Sequence, residues 1–265
     1  MLRIIIASLL LILSLYSNAQ TVVNVEDLKN TFHMKSWYKI SGMVNASPVY
    51  YTGNNASNNR SPFLWYINGN INANLFGQID LPFSFNITDG GTQYSYPTAP
   101  TRLSIAPKYK WITAYIGDAS MVFSPYTLNG HLFRGAGVQL TPQGPFQFSA
   151  MYGSFQKAVP YDSLNKSIVA AYKRIGYGAN LEFKKEKYAI GISLFHAKDD
   201  ESSLANLPDS LAIRPKENIA LSAHGSLKFD NGLELTTEYG TSALTEDVRA
   251  TTADGKIFFK NFIPY

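Results

Sequence analysis

The sequence predicts an all-β protein, an antiparallel, meandering transmembrane β-barrel of about twelve strands. Three observations lead to this fold class. Apolar and polar side chains alternate almost without a break over residues 62–87. Short and long connections between the predicted strands alternate along the chain, and aromatic side chains lie beside the short ones. Short turns at one end, long loops at the other and girdles of aromatic residues are typical of outer-membrane barrels.

The first 19 residues have the pattern of a secretory signal peptide. Arg3 supplies a positive charge, residues 4–15 are apolar, and Ala19 ends a small-residue cleavage pattern. A membrane anchor is the alternative, although the apolar run is short for a spanning helix. The predicted organisation is a signal peptide over 1–19, a periplasmic lead-in with helical apolar spacing over 20–35, and the barrel over 36–265.

Composition excludes several kinds of chemistry and partner. The chain has no cysteine, which excludes disulfides, thiol catalysis and cysteine-bound metals. Its formal net charge is +4, and the basic residues form no run of the kind that binds nucleic acid. No long apolar run follows the signal peptide, so membrane residence has to come from strands. The expected localisation is the bacterial cell outer membrane, in contact with outer-membrane lipid.

Residues 63–75 alternate so regularly that a strand here has one apolar face and one amide face. The amide face carries Asn68, Asn70, Asn72 and Asn74. Hydrocarbon offers these amides no hydrogen-bond partner, so a lipid-facing placement would cost several kcal/mol. The asparagine row is therefore predicted to line a polar interior.

The other predicted strands share the period of two. SWYKISGMVNA precedes the asparagine strand and IDLPFSFNI follows it. The later strands are TRLSIAP, KWITAYIGD, RGAGVQL, FQFSAMYGSF, RIGYGANLEF, YAIGISLF, NIALSAHGSLKF and LELTTEYG, with KIFFKNFIPY as a poorer last candidate. Asn261 and Pro264 interrupt that last segment, which leaves either a weak closing strand or a barrel incomplete at its C-terminus.

The predicted connections between strands fall into two length classes. Short links are predicted at residues 76–78, 107–110, 141–145, 184–187 and 230–232. Long polar links alternate with them, at residues 47–61, 89–100, 118–132, 156–167, 198–217 and 241–255. A soluble β-sandwich, the alternative fold, has no reason to sort its loops in this way.

One short link can be predicted in detail. A three-residue loop over 230–232 keeps the apolar and polar faces of its two strands consistent, whereas a two-residue turn mixes them. It pairs Lys228 with Glu234, sets His224 opposite Glu238, and places Gly232 at positive φ.

Five runs in the middle of the chain are fairly specific as strings: PFLWYINGNI, LPFSFNIT, LSIAPKYKWITAYIGD, FSPYTLNGHLFRGAGVQLTP and FQFSAMYGSFQKAV. They resemble an uncharacterised outer-membrane β-barrel protein family of the Bacteroidetes. The resemblance implies an outer-membrane location and a β-barrel architecture. It brings no reaction with it, so no catalytic residue follows from it.

The predicted interior carries charges but no catalytic pattern. Besides the asparagines, its lumen-lining residues are Arg174, Glu182, His224, Lys228, Glu234 and Glu238. They predict either a charged constriction that selects solutes or interior salt bridges that fill the barrel. The histidines fit no metal-ligand spacing and no nucleophile elbow is present. We therefore predict no catalytic, cofactor-binding or metal site, and no enzyme.

The segment 118–133 is unusually apolar for a loop. Phe123, Tyr126, Leu128 and His131 are candidates for a constriction that folds into the barrel mouth or for a surface that docks a protein partner. The first function hypothesis is a non-enzymatic, porin-like channel or small-solute conduit. The second is a structural or partner-binding barrel accessory to a secretion or surface-assembly system, and an outer-membrane hydrolase comes last.

Overall fold

The computed structural model of the protein describes residues 23–24, 38–50, 63–89, 101–164, 169–204, 208, 211–249 and 261–264. Within these residues the chain is all-β, apart from a 3₁₀ turn at Glu201–Ser203. The strands are β1 (Val23–Asn24), β2 (Tyr38–Tyr50), β3 (Phe63–Leu75), β4 (Ile79–Thr88), β5 (Arg102–Ile105), β6 (Lys108–Tyr109), β7 (Ile112–Val122), β8 (Asn129–Leu140), β9 (Phe146–Gln156), β10 (Lys173–Lys184), β11 (Tyr188–Asp200), β12 (Glu217–Lys228), β13 (Glu234–Thr245) and β14 (Asn261–Pro264). Of the described residues, none belongs to a helix with the length and apolarity needed to traverse a bilayer.

The strands form one antiparallel meander, as predicted. Consecutive strands pair along the sheet from β1 to β14, with β5 and β6 sharing one place in the order. Both of these short strands pair with β4 and with β7, and Ala106 and Pro107 separate them. Proline has no N–H to donate to the ladder, which explains why the strand is interrupted there.

The short connections predicted between β3 and β4 and between β12 and β13 are confirmed. The β3–β4 turn covers residues 76–78 and is closed by a 3.0 Å hydrogen bond from the Gln78 N–H to the Leu75 carbonyl. In the β12–β13 hairpin the Phe229 N–H donates to the Leu233 carbonyl at 2.8 Å, and Gly232 has φ of 86°. The three-residue loop and the register that it sets are confirmed.

Several predicted strand boundaries were wrong because backbone pairing continues beyond the regular alternation. β2 extends past residue 46, and pairs Ser47 with Tyr66 and Tyr50 with Phe63. β7 continues to Val122 and β8 begins at Asn129, so residues 123–128 alone connect them. The turn predicted at 107–110 lies instead at 110–111, because β6 occupies Lys108–Tyr109.

The termini of the sheet are short strands. Val23–Asn24 pair with Val44 and Met43 of β2, so this part of the lead-in is extended rather than helical. The signal-peptide segment 1–19 and the rest of the lead-in lie outside the described residues. Asn261–Pro264 pair with β13 opposite Leu244 to Thr241.

The register places all the predicted lumen-lining side chains on one face of the sheet, which we call the inner face. Directly paired residues connect Asn70 of β3 through successive strands to Leu244 of β13. The row is Asn70, Ser84, Ser104, Gly117, Gly135, Gly153, Gly176, Ala197, Asn218 and Leu244. Because residues alternate between faces, every second residue from this row lies on the same side.

The sheet curls towards its inner face between β7 and β13. In the order of the sheet β13 stands six places from β7, a distance of about 29 Å if the sheet were flat. Yet Tyr126, which follows β7, lies so close to Gly240 of β13 that a Cβ built on that glycine would be 2.6 Å from the Tyr126 Cβ. Near the middle of β11 and β12 the inner residues are buried and the outer ones exposed: Ser193 is 3% exposed beside Ile192 at 59%, and Ser222 is 6% exposed beside Leu221 at 48%.

Candidate functional site

The connection between β7 and β8 turns into the space enclosed by the curled sheet. We call residues 123–128 the inner loop. It is closed by a 2.7 Å hydrogen bond from the Phe123 N–H to the Leu128 carbonyl, and the Thr127 N–H donates to the Ser124 carbonyl at 3.3 Å. These bonds make the loop a compact unit that can pack as one piece.

Two apolar side chains of the inner loop, those of Phe123 and Leu128, are buried on the inner face, whereas Tyr126 is 49% exposed. Leu128 is fully buried and Phe123 nearly so. They belong to a cluster with Ala119, Met121, Phe133 and Met151, against which Tyr115, Phe155 and Phe195 pack. Burial of these side chains stabilises the inward position of the loop by the hydrophobic effect.

Four hydroxyl groups tie the inner loop to β11 and β12. Ser222 donates to Ser124 Oγ at 2.8 Å, and Thr127 donates to the same oxygen at 3.1 Å. Ser193 Oγ lies 2.8 Å from Ser222 Oγ and 2.9 Å from Thr127 Oγ1. Each hydroxyl therefore contacts two others, and we call the set the hydroxyl ring. Its serines are almost completely buried, so water cannot replace a lost partner easily.

Glycines on the inner face provide the space for the loop. A Cβ on Gly178 of β10 would lie 2.9 Å from a ring carbon of Phe123, and the three atoms nearest to a Cβ on Gly240 would all belong to Tyr126. Gly137 of β8 leaves room in the same way for the sulfur of Met121. Larger residues at these inward positions would displace the loop or the side chains around it.

The inner loop lies near mid-length of the strands that it contacts. Ser193 is the sixth of 13 residues in β11, and Ser222 is the sixth of 12 in β12. Gly240 is the seventh of 12 in β13. The loop therefore crosses the middle of the enclosed space rather than covering one end. His131, the fourth candidate of this segment, is exposed on β8 and does not join the hydroxyl ring.

Two ion pairs neutralise three of the predicted interior charges, those of Arg174, Lys228 and Glu234. Arg174 binds Asp199 through two hydrogen bonds of 2.7 and 3.0 Å, and Asp199 also accepts from the Lys216 N–H. Lys228 lies 3.7 Å from Glu234, the cross-strand pair that the sequence predicts. These contacts favour interior salt bridges over free charges at both positions.

A second group of inner-face residues keeps unpaired polar atoms. This group is a row of directly paired residues across β10 to β13, namely Glu182, Gly191, His224 and Glu238. The row lies two residues along each strand from the serines of the hydroxyl ring, on the side of the short turns. His224 Nδ1 and Glu238 Oε1 are buried and have no hydrogen bond in the described part of the chain, and the same is true of Asn180 Oδ1. Within the described residues no group of three metal-ligating side chains could hold a metal ion.

The asparagine row lies on the inner face of β3. Asn70 accepts a 2.7 Å hydrogen bond from the Ser84 hydroxyl, and the Asn74 amide donates to Asp80 at 2.7 Å. Asn70 and Asn72 are exposed, and Asn68 is half-buried opposite Asn86. This side of the inner face is therefore polar and accessible, whereas the side formed by β7 to β13 is filled.

The outer face is apolar between two belts of larger polar or aromatic groups. A shallow cavity of about 430 Å³ lies across β9 to β13, and its lining includes Leu181, Ile192 and Leu221. Towards the long connections, His196 lies 2.7 Å from Glu217. Aromatic side chains are exposed near the short turns, namely Tyr109, Trp111, Phe146, Tyr188 and Phe229.

The hydroxyl ring was missed by sequence reasoning. Ser193 and Ser222 occupy inward positions of β11 and β12, so the alternation does place them in the interior. Nothing local distinguishes them from other interior serines, because their partners Ser124 and Thr127 are brought close only by the curvature of the sheet.

Comparison of the chain with protein-family models, with curated proteins and with solved structures gave no match. The residues and contacts described above are therefore the basis of the functional proposal.

Proposed function

We propose that the protein is a non-enzymatic outer-membrane β-barrel that acts as a porin-like conduit for small solutes, narrowed by its inner loop. The observation that carries this proposal is the inner loop itself, held across the enclosed space by the hydroxyl ring. A loop that narrows a polar lumen restricts passage by size and by the groups that line the remaining gap.

The dimensions and polarity of the strands support a position in the bilayer. β7 to β13 have 11 to 13 residues each, and spanning strands need about 9 to 11. The outward row of β10 from Ile175 to Phe183 extends about 26 Å along the strand. At the tilt of about 40° that is typical of outer-membrane barrels, this row spans about 20 Å along the membrane normal, which is most of the apolar band of about 25 Å.

Burial of the loop favours a conduit over partner binding through this segment. Phe123 and Leu128, two of the apolar side chains that a partner would bind, are turned to the inner face, and Tyr126 remains 49% exposed beside Gly240. Exposed apolar groups are what a docking surface needs. Passage would follow the accessible asparagine side of the inner face, where Asn70 and Asn72 offer amides to a solute.

Single-channel recording in planar lipid bilayers tests the proposal. The folded protein should give discrete, low-conductance steps. A variant in which residues 124–127 are replaced by two glycines should give larger steps, because it lacks the obstruction. A matched Ser226→Ala variant changes the same inner face of β12 away from the hydroxyl ring and should conduct as the wild type does. A membrane-inserted protein without conductance, both with and without the loop, would refute the proposal.

A further inference from the structure

We propose that the conduit selects cations over anions, and that Glu182 and Glu238 produce this preference. The inference rests on the proposed function and specifies the solute class of the same lumen. It follows from which interior charges are balanced and which are not.

Arg174 and Lys228, the basic side chains on the inner face near the two ends of β10 and β12, are neutralised. Arg174 forms its two hydrogen bonds with Asp199, whose side chain is 4% exposed. Lys228 is paired with Glu234 at the short-turn end of β12 and β13. Neither pair contributes a net charge to the lumen, and each contributes only a local dipole.

The two acidic side chains in the row next to the hydroxyl ring are not balanced in this way. Among the described residues, Glu182 and Glu238 have no ion pair with a Lys, Arg or His side chain. Glu238 also keeps one carboxylate oxygen buried without a hydrogen bond. A charge without a partner beside a low-dielectric wall produces a strong field in the adjoining space.

His224 lies between Glu182 and Glu238 in this row, and its ring occupies part of the space between the two carboxylates. Its ring leans over Gly191, where a Cβ would collide with it, and so points towards Glu182 on β10. Glu182 and Glu238 are three strand intervals apart, about 14 Å at the usual spacing. That separation is too wide for both carboxylates to bind one ion tightly. It does place negative charge on two sides of a hydrated or organic cation that passes between them.

Four other Lys and Arg side chains of the described strands lie on the inner face, namely Lys39, Arg102, Lys108 and Lys184. Lys184 is the next inner-face residue after Glu182, at the short-turn end of β10. All four are exposed, so water and salt screen their charges from the middle of the lumen. The row of Glu182, His224 and Glu238 therefore remains negative beside the narrowest part of the conduit.

Reversal potentials in a KCl gradient across a planar bilayer test this inference. The wild type should be more permeable to K⁺ than to Cl⁻, and Glu182→Gln and Glu238→Gln should each lower the permeability ratio by at least about twofold. Glu217→Gln is the matched control, because this substitution removes the same charge from the outer face, where Glu217 lies opposite Lys198. It should leave the ratio unchanged.

The outcomes separate the two proposals. Conductance with equal K⁺ and Cl⁻ permeability, or a ratio that the two inner variants leave unchanged, would overturn cation selection and leave the conduit standing. Absence of conductance in folded, inserted protein would overturn both. Heat-modifiable gel mobility verifies that each variant is folded, and the two single variants act on different strands, so one of them suffices for the test.

Discussion

Ser222 on β12 donates a 2.8 Å hydrogen bond to Ser124 in the inner loop, although the two residues are 98 positions apart in the chain. The bond joins two groups that are both buried. Because β7 and β12 are not neighbours in the sheet, the contact exists only where the sheet has curled. It therefore links the shape of the sheet to the position of the loop that narrows the proposed lumen.

Removal of the Ser222 hydroxyl should loosen the inner loop. Ser222→Ala leaves Ser124 and Ser193 without one of their partners in a buried position, and we expect a loss of about 1–3 kcal/mol in the free energy of unfolding. Urea unfolding in detergent micelles measures this loss. Ser226→Ala, on the same face of β12, should stay within about 0.5 kcal/mol of the wild type. Equal effects of the two substitutions would contradict the role of the hydroxyl ring.

Gly240 should tolerate no side chain as long as Tyr126 is present. A Cβ at this position would lie 2.6 Å from the Tyr126 Cβ, and we expect Gly240→Ala to cost about 1–3 kcal/mol in unfolding free energy. Gly225→Ala is the control, since its nearest atom would be the Ala189 carbonyl oxygen at 3.6 Å.

A double-mutant cycle distinguishes this clash from a general effect of glycine replacement. Tyr126→Gly removes the colliding atoms, so Gly240→Ala should cost less in that background than in the wild type. Additive effects of the two substitutions would show that the inner loop does not lie against β13.

The two interior ion pairs should differ in their contribution to stability. Asp199→Ala removes the buried acceptor of Arg174 and of the Lys216 N–H, and because water can reach Arg174, which is 37% exposed, we expect a loss of about 2 kcal/mol. Lys228→Gln breaks an exposed pair with a longer separation and should cost less than about 1 kcal/mol. Denaturant midpoints of the two variants, compared with the wild type, measure the difference. A larger loss for Lys228→Gln would contradict the burial assigned to Asp199.

Asp247, in the connection after β13, should contribute pH-dependent stability. The hydrogen bond from Arg249, followed by the charges of Arg249 and Arg214, holds the pKa of Asp247 below its usual value. Because the folded pKa is the lower one, the contribution is complete above the unfolded pKa of about 3.9 and disappears as pH falls through the folded value.

Asp247→Asn reveals that contribution by difference. The variant should be less stable than the wild type at neutral pH, by under about 1 kcal/mol, and the gap should close in strong acid. Unfolding at pH 7 and at successively lower pH values measures it. A gap that widens with acidification would mean that the sign of the shift is wrong.

The sequence was sufficient to predict the sheet and the face of each strand. Alternation places Arg174, His224 and Glu238 on one side, and face consistency alone selects the three-residue loop that the β12–β13 hairpin adopts. The first inference depends only on neighbours in sequence and the second on a single hairpin. In both cases the side-chain period of two determines the face on which each residue lies.

Contacts between distant strands could not be predicted in the same way. The extension of β7 to Val122 depends on backbone pairing with β8, which needs no apolar alternation. The burial of Leu128 and the hydroxyl ring depend on curvature summed over several strands. Curvature arises from twist and packing across the whole sheet, and no local pattern encodes it.

The central claim is that the outer face meets hydrocarbon while the inner face does not, and two adjacent residues of β10 test it most directly. Leu181 is 43% exposed on the outer face, and Asn180 beside it has its side-chain oxygen buried on the inner face. Spin labels at each position, in protein inserted into lipid vesicles, should report high accessibility to oxygen and low accessibility to a polar nickel chelate at residue 181, and low accessibility to oxygen at residue 180. A label at residue 181 that is relaxed mainly by the polar chelate would contradict the account.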